Sequence, residues 1–446
     1  MPKKKVAKKP AVKAKSSASS KEAVKKASPK KAAQKSEPKI TARERADAFV
    51  ERMRTDPAFR GKVQVRSARS YQTPYNLRRP TGVLGLDLAL RGGFPAGGAS
   101  QIYGPRSTGK THLAFRVAGE VQKNYGNNAI VALGMSEGRA DVGFARSAGF
   151  CMAYSEEKIK ELEGIRVNKG LPKFTAEERA DLRMQIGEVL FLHGSTGGDM
   201  LQSTIEVLTD MGSACQLILI DSLGSLLTPD QDKGKVSDRQ YGGSSGIITT
   251  WQTKVQPLYI NDQPDGSCLE TTILGINQVR ALIGGPSPNM TRPAAGAKSW
   301  EHAQLNSIEL KRGEPLWADT KHTKQAGHIV KWSIKKGKAG THDGLKGEYD
   351  WRHILDSEPI FWKDVLEVGK SYAIDVVQDL VESAISVGVI SRAGSWLTWA
   401  DEENRVIAKA QGADKMADII QDEDEELEER LRKACLDAAD LTVRYN

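Results

Sequence analysis

The chain has 446 residues, 39% hydrophobic and 27% charged, with a formal net charge of +9. Its length exceeds one ordinary core, so one large domain with accessories, or two to three domains, is expected. No run approaches the ~18 apolar residues of a membrane span, and no signal-peptide apolar region opens the chain. The cysteines Cys151, Cys215, Cys268 and Cys435 are scattered without a Cys-x-x-Cys pair, which excludes a disulfide scaffold and a structural zinc module. A cytoplasmic protein with no membrane partner is expected.

The charge is unevenly placed. Residues 1–40 carry fourteen lysines against Glu22 and Glu37, which makes +12 there and leaves −3 for the remainder. This tail of Lys, Ala, Ser and Pro cannot bury enough apolar surface to offset its ordering entropy, and it reads as disordered. Blocks such as Lys3-Lys4-Lys5 and Lys30-Lys31 suit nucleic-acid phosphates through counterion release. A nuclear address and a plain solubilising tail are the other readings.

Thr41 with Glu44 forms a capping box that opens an amphipathic helix through Ala48, Phe49 and Met53. A polar, Arg-rich connection runs on to Arg79, and residues 41–79 form an expected oligomerisation element. From Pro80, apolar runs at 100–103, 130–133, 189–192, 217–220, 272–276, 307–310 and 329–334 alternate with helical stretches. Nearly continuous Ile, Leu and Val suit strands covered on both faces, so a mainly parallel α/β sheet is predicted over 80–350. Residues 151–187 form a charged, helical stretch surplus to that sheet. Residues 351–446 turn helical and acidic.

The strongest motif is Gly104-Pro105-Arg106-Ser107-Thr108-Gly109-Lys110-Thr111, between a predicted strand and a predicted helix. Glycines let backbone N–H groups turn toward phosphate oxygens, and the helix start adds its positive dipole end. Lys110 would reach the β- and γ-phosphates of ATP, and Thr111 would ligate Mg²⁺. Asp221 ends a buried strand and is placed to hold the Mg²⁺ through water. Two residues at the predicted ligand-binding edge of the sheet are candidates for the hydrolytic step, Glu137 and Gln278. On residue chemistry alone, each is as well explained by an ordinary surface or backbone-satisfying role.

The chain from Thr81 to Asp87 and from Gln101 to Pro105 resembles the entry to the ATPase core of the RecA family of DNA recombinases. The likeness continues through Ser136-Glu137-Gly138-Arg139-Ala140-Asp141 and Phe144-Ala145-Arg146, then Leu219-Ile220-Asp221-Ser222 with Thr228-Pro229. Ile276-Asn277-Gln278-Val279-Arg280 and Ser391-Arg392-Ala393-Gly394-Ser395-Trp396 extend it, so the match runs roughly from 80 to 432 with insertions. The resemblance implies a P-loop ATPase core with a small N-terminal helical element and an α-rich C-terminal region. It implies Glu137 polarising the attacking water, and Gln278 coupling the γ-phosphate to a DNA loop. Asp141 and Phe144 match positions near the adenine. Lys336 and Lys338 match lysines that arrive from the neighbouring subunit, with Lys335 as a rival in the Lys335-Lys336-Gly337-Lys338 run.

Two DNA-binding loops are implied along the axis of a helical filament, a homo-oligomer. The first, 230–243, carries Lys233, Lys235 and Arg239. The second, 284–297, follows Arg280 and holds Met290 and Arg292. The helix after the first loop has no Arg over 245–254, and Gly134-Met135-Ser136 replaces a more acidic approach to Glu137. The 151–187 insertion and the Lys-rich tail are also foreign to the usual bacterial form. The resulting expectation is an ATP-dependent recombinase acting on single- and double-stranded DNA. A helicase or mediator on the same core, and a DNA-coating protein with a regulatory nucleotide site, are the alternatives.

Overall fold

The computed structural model describes residues 41–60, 62–66, 71–226, 243–263, 266–281, 291–293, 298–317, 320–323, 325–352, 374–423 and 425–441. The tail 1–40 lies outside the described residues, as do Lys233, Lys235, Arg239 and Met290. Residues up to Ser70 and residues from Tyr71 form two compact units. In the first, α1 (Ala42–Thr55) begins with the expected capping box. The Glu44 N–H donates to the Thr41 hydroxyl at 3.2 Å, and the Thr41 N–H donates to Glu44 Oε2 at 2.7 Å.

The second unit opens with β1 (Arg78–Arg79), α2 (Leu84–Ala89), β2 (Phe94–Pro95), β3 (Gly98–Tyr103) and α3 (Lys110–Tyr125). Then come β4 (Ile130–Met135), α4 (Val142–Ser147), α5 (Glu156–Asn168), α6 (Ala176–Arg183), β5 (Glu188–Leu192), α7 (Gly197–Asp210) and β6 (Leu217–Asp221). The helix α8 (Gly243–Ile260) leads to β7 (Thr272–Asn277), the short strands β8 (Val279–Ala281) and β9 (Thr291–Pro293), and α9 (Lys298–Ala303). Three longer strands follow, β10 (Ser307–Trp317), β11 (Gln325–Lys336) and β12 (Lys346–Arg352). The C-terminal part holds α10 (Val376–Ser386), β13 (Ile390–Ala393), β14 (Trp396–Ala400), β15 (Val406–Gln411), α11 (Ala413–Glu423) and α12 (Glu425–Ala438).

The main sheet has the order β12-β11-β10-β3-β7-β6-β4-β5. From β10 to β5 every pairing is parallel, whereas β11 and β12 add an antiparallel margin. All seven strands expected from the sequence stand in it, and β12 is the additional one. Its two-sided burial explains the unbroken apolar runs. Val131, Leu133, Leu217, Leu219, Leu274 and Ile276 join α3 in one core, while Ala132, Ile218, Ile220 and Ile273 join α7 and α8 in the other. On that second face, the Trp251 indole N–H donates to Thr204 Oγ1 at 2.9 Å, and the Trp300 indole N–H donates to Gln101 Oε1 at 3.0 Å.

The insertion is a helical pair with its own small core of Ile159, Phe174 and Leu182. Buried Arg146 of α4 fastens it, donating to the carbonyls of Met152, Asp181 and Met184. The C-terminal part has the expected helices, with Val377, Leu380, Val381, Leu431 and Cys435 in the α3-side core. It also has an antiparallel sheet, β13-β14-β15, that the acidic composition does not announce.

Candidate functional site

Residues 104–111 link the end of β3 to the start of α3, so the loop leaves a buried strand and enters a sixteen-residue helix at its positive end. Glycine is required at Gly104, where a Cβ would stand 2.2 Å from the Leu310 carbonyl oxygen of β10. Gly109, with φ of +78°, caps α3 in the left-handed region. Thr108 Oγ1 and Lys110 Nζ both donate to the Pro105 carbonyl, at 2.9 and 2.6 Å, which folds the lysine over the loop. Burial holds the Lys110 ammonium below its ordinary range, against the opposing charges of Asp221 and Glu137. Pro105, Arg106 and Ser107 are exposed. A bend of backbone amides at a helix start with one ammonium across it is a receptor for an anion.

The Thr111 hydroxyl donates to Asp221 Oδ2 at 2.7 Å. Burial raises the Asp221 carboxyl above its usual value, and the Thr111 hydrogen bond and Lys110 oppose that rise. A hydroxyl beside a carboxylate is a hard oxygen pair of the kind Mg²⁺ takes when phosphate and water complete its octahedron. Among the described residues no group of three or more His, Cys, Asp and Glu side chains gathers, so no all-protein metal cage competes with this pair.

Two residues placed separately by the sequence meet here. Glu137 follows β4, Gln278 follows β7, and Gln278 Nε2 donates to Glu137 Oε1. The same oxygen accepts from Ser222 Oγ at 2.5 Å. Sequence reasoning assigned no role to Ser222, nor to Ser136 and Ser225 behind it. Ser136 and Ser222 stand in the quoted motifs, but they meet across 86 positions, a separation that no local spacing discloses. Trp351 was also missed: its ring lies 3.7 Å from where a Gly109 Cβ would be.

Asp141 Oδ1 accepts from the Phe144 N–H at 3.0 Å and so caps α4. The Phe144 ring packs edge-on against His112 and Phe115, at 5.3 and 6.3 Å between centroids. Arg280 and Arg292 are backbone register partners in the β8–β9 ladder, so a strand pairing runs into the stretch 284–297, where the sequence predicts a loop.

Lys336 and Lys338 stand away from this cluster. Lys336 pairs with Ser307 at the start of β10, and Ser307 pairs with Gln101 in parallel β3, three residues before Gly104. Lys336 Nζ donates to the Glu301 and His302 carbonyls, and Lys338 Nζ donates to the His302 carbonyl at 3.1 Å. Burial, then the charge of Lys338, lowers the Lys336 ammonium to about 8. Lys335 points elsewhere and pairs with Glu309 at 3.0 Å.

A RecA N-terminal domain model matches residues 67–153, the stretch that carries the loop, α3, β4 and Glu137. The protein RecA of Thermus aquaticus is 27% identical over 365 residues, which cover 82% of this chain and 86% of that protein. The RecA of Thermus thermophilus is 26% identical over the same length and coverage. The RecA of Wolinella succinogenes is 25% identical over 324 residues, covering 72% of this chain and 73% of that protein. This similarity to RecA proteins runs along most of the chain's length, over a mainly parallel sheet edged by the phosphate loop.

Proposed function

We propose that this chain is a RecA-type DNA recombinase of recombination and repair, which polymerises on single-stranded DNA and exchanges that strand with a homologous duplex in an ATP-dependent cycle. The observation that carries the reading is the junction of Glu137 with Gln278, because β8 and Arg280 follow Gln278 directly. A water-orienting carboxylate is thereby tied to the strand that leads toward the expected DNA-contacting segment.

Lys110 and the amides of residues 104–111 bind the phosphates, with Asp141 and Phe144 toward the base. Thr111 and Asp221 would hold Mg²⁺, which neutralises phosphate charge when bound. Glu137 takes a proton from the attacking water, whose oxygen bonds to the γ-phosphorus as the bond to the ADP oxygen breaks. Gln278 is placed to read the γ-phosphate at the expense of its bond to Glu137. Lys336 and Lys338, whose ammonium groups turn to the Glu301 and His302 carbonyls, serve the site of a neighbouring subunit, which makes each nucleotide site a shared one. Arg280, Arg292, Lys233, Lys235, Arg239 and Met290 contact DNA, and the Lys-rich tail adds salt-dependent affinity for duplex.

Strand exchange between a single-stranded circle and a homologous linear duplex tests the reading. Joint molecules are expected with ATP and the parent protein and not with Lys110→Ala. Turnover of ATP without joint molecules would favour a helicase or mediator instead.

A further inference from the structure

Glu137 is exposed, so packing does little to orient its carboxylate. Hydrogen bonds do. The Ser222 hydroxyl donates to Glu137 Oε1 at 2.5 Å, and Ser222 is itself held by two further hydroxyls. The Ser222 N–H donates to Ser136 Oγ at 2.8 Å, and Ser136 Oγ donates to the Ser222 carbonyl at 2.8 Å, so Ser136 brackets both polar groups of one residue. Ser225 Oγ lies 2.6 Å from Ser136 Oγ. Each hydroxyl has one proton, and with Ser222 donating to Glu137 two assignments use them all: Ser225 donates to Ser136 and Ser136 to the Ser222 carbonyl, or Ser136 donates to Ser225 and Ser225 to that carbonyl at 3.1 Å.

We propose that Ser136 and Ser225 are positioning residues for hydrolysis, acting through the Ser222 hydroxyl to fix Glu137 Oε1 and leave Oε2 to accept the proton of the attacking water. This deepens the ATPase reading of the same site and rests on it. The bracket also ties two tasks to adjacent residues. The Ser136 N–H donates to the Asp221 carbonyl at 2.7 Å, so the backbone that presents the Asp221 carboxylate to Thr111 also presents Ser222 to Glu137.

The experiment measures kcat and KM for single-stranded-DNA-stimulated ATP turnover, together with the affinity for a fluorescent ATP analogue. It compares the parent, Ser136→Ala, Ser225→Ala, Ser222→Ala and the Ser136→Ala/Ser222→Ala double variant. Loss of kcat by about tenfold is expected in Ser136→Ala and Ser222→Ala, since small misplacements of a reacting group cost that much or more. KM and analogue affinity should hold, and the double variant should be no worse than Ser222→Ala, because the two act in series. Ser136→Thr, which keeps the hydroxyl, should recover most of the rate. An unchanged kcat in Ser136→Ala, multiplied losses in the double variant, or losses that follow weakened analogue binding and persist in Ser136→Thr would each overturn the bracket. A parent that turns over no ATP would overturn the functional reading and the bracket with it, a result distinct from an active parent with indifferent serines.

Discussion

Thr111 Oγ1 donates to Asp221 Oδ2 at 2.7 Å, joining the first turn of α3 to the end of β6 across 110 positions of sequence. The pair offers one hydroxyl and one carboxylate, and among the described residues no group of three or more His, Cys, Asp and Glu side chains gathers. Affinity for Mg²⁺ should therefore lean heavily on the Asp221 charge. Asp221→Asn keeps an acceptor for Thr111 and removes that charge. The Mg²⁺ concentration for half-maximal turnover should rise by about tenfold or more, and a magnesium titration of ATPase rate checks it.

The pair Lys336 and Lys338, held at the end of α9, makes the assembly testable. Lys336→Ala/Lys338→Ala should still bind a fluorescent nucleotide through its own loop yet lose ATPase activity. Mixing it with Lys110→Ala protein should restore part of the rate, because each variant supplies the half-site the other lacks. Lys336 loses its proton as pH rises through about 8, so an alkaline fall in rate near that value is expected, and Lys336→Arg should remove it. A pH–rate profile of both proteins checks this.

His112 is buried on α3 against Phe144 and Trp351, and burial, with a smaller push from Arg116, lowers its imidazole to about 3. The unfolded chain would take up that proton near 6.5. Between the two values the unfolded state binds more protons, so this residue's contribution to stability falls as pH drops. The difference between the parent and His112→Leu should move in the variant's favour by about 1.4 kcal/mol per pH unit below that onset. Asp87 works in the opposite sense. Burial raises it to about 7, so its contribution is lost as pH rises toward that value, and the parent-to-variant difference is what isolates His112. Denaturant melts at several pH values between 4 and 7 check the sign.

Arg146 joins the insertion to α4 through the Met152, Asp181 and Met184 carbonyls. Arg146→Met should strand those carbonyls, at a cost of about 1.5–3 kcal/mol to the local fold. Faster proteolytic cleavage within 151–187 is expected, with the melting temperature of the remaining core little changed. Limited proteolysis followed by mass mapping measures it.

The strands and the phosphate loop were legible because their physics is local. Val131, Leu133, Leu217 and Leu219 face one core while Ala132, Ile218 and Ile220 face the other, and two-sided burial writes itself as an unbroken apolar run. The loop carries its glycines, lysine and threonine within eight positions. The serines behind Glu137 were not legible, because Ser136, Ser222 and Ser225 gain meaning only when β4 and β6 pair. The C-terminal sheet was hidden for another reason: β14 buries only Leu397 and Trp399, and the charged residues around it dominate the composition. Lys335 and Lys336 were indistinguishable as neighbours in sequence. The β10–β11 ladder sends one to Glu309 and the other to the end of α9.

ATP turnover measured without DNA, with single-stranded DNA and with duplex, beside Lys110→Ala, tests the central claim most directly. Strong stimulation by single strands, lost in Lys110→Ala, is the expected result. Turnover indifferent to DNA, or no turnover under any of these conditions, would contradict the account.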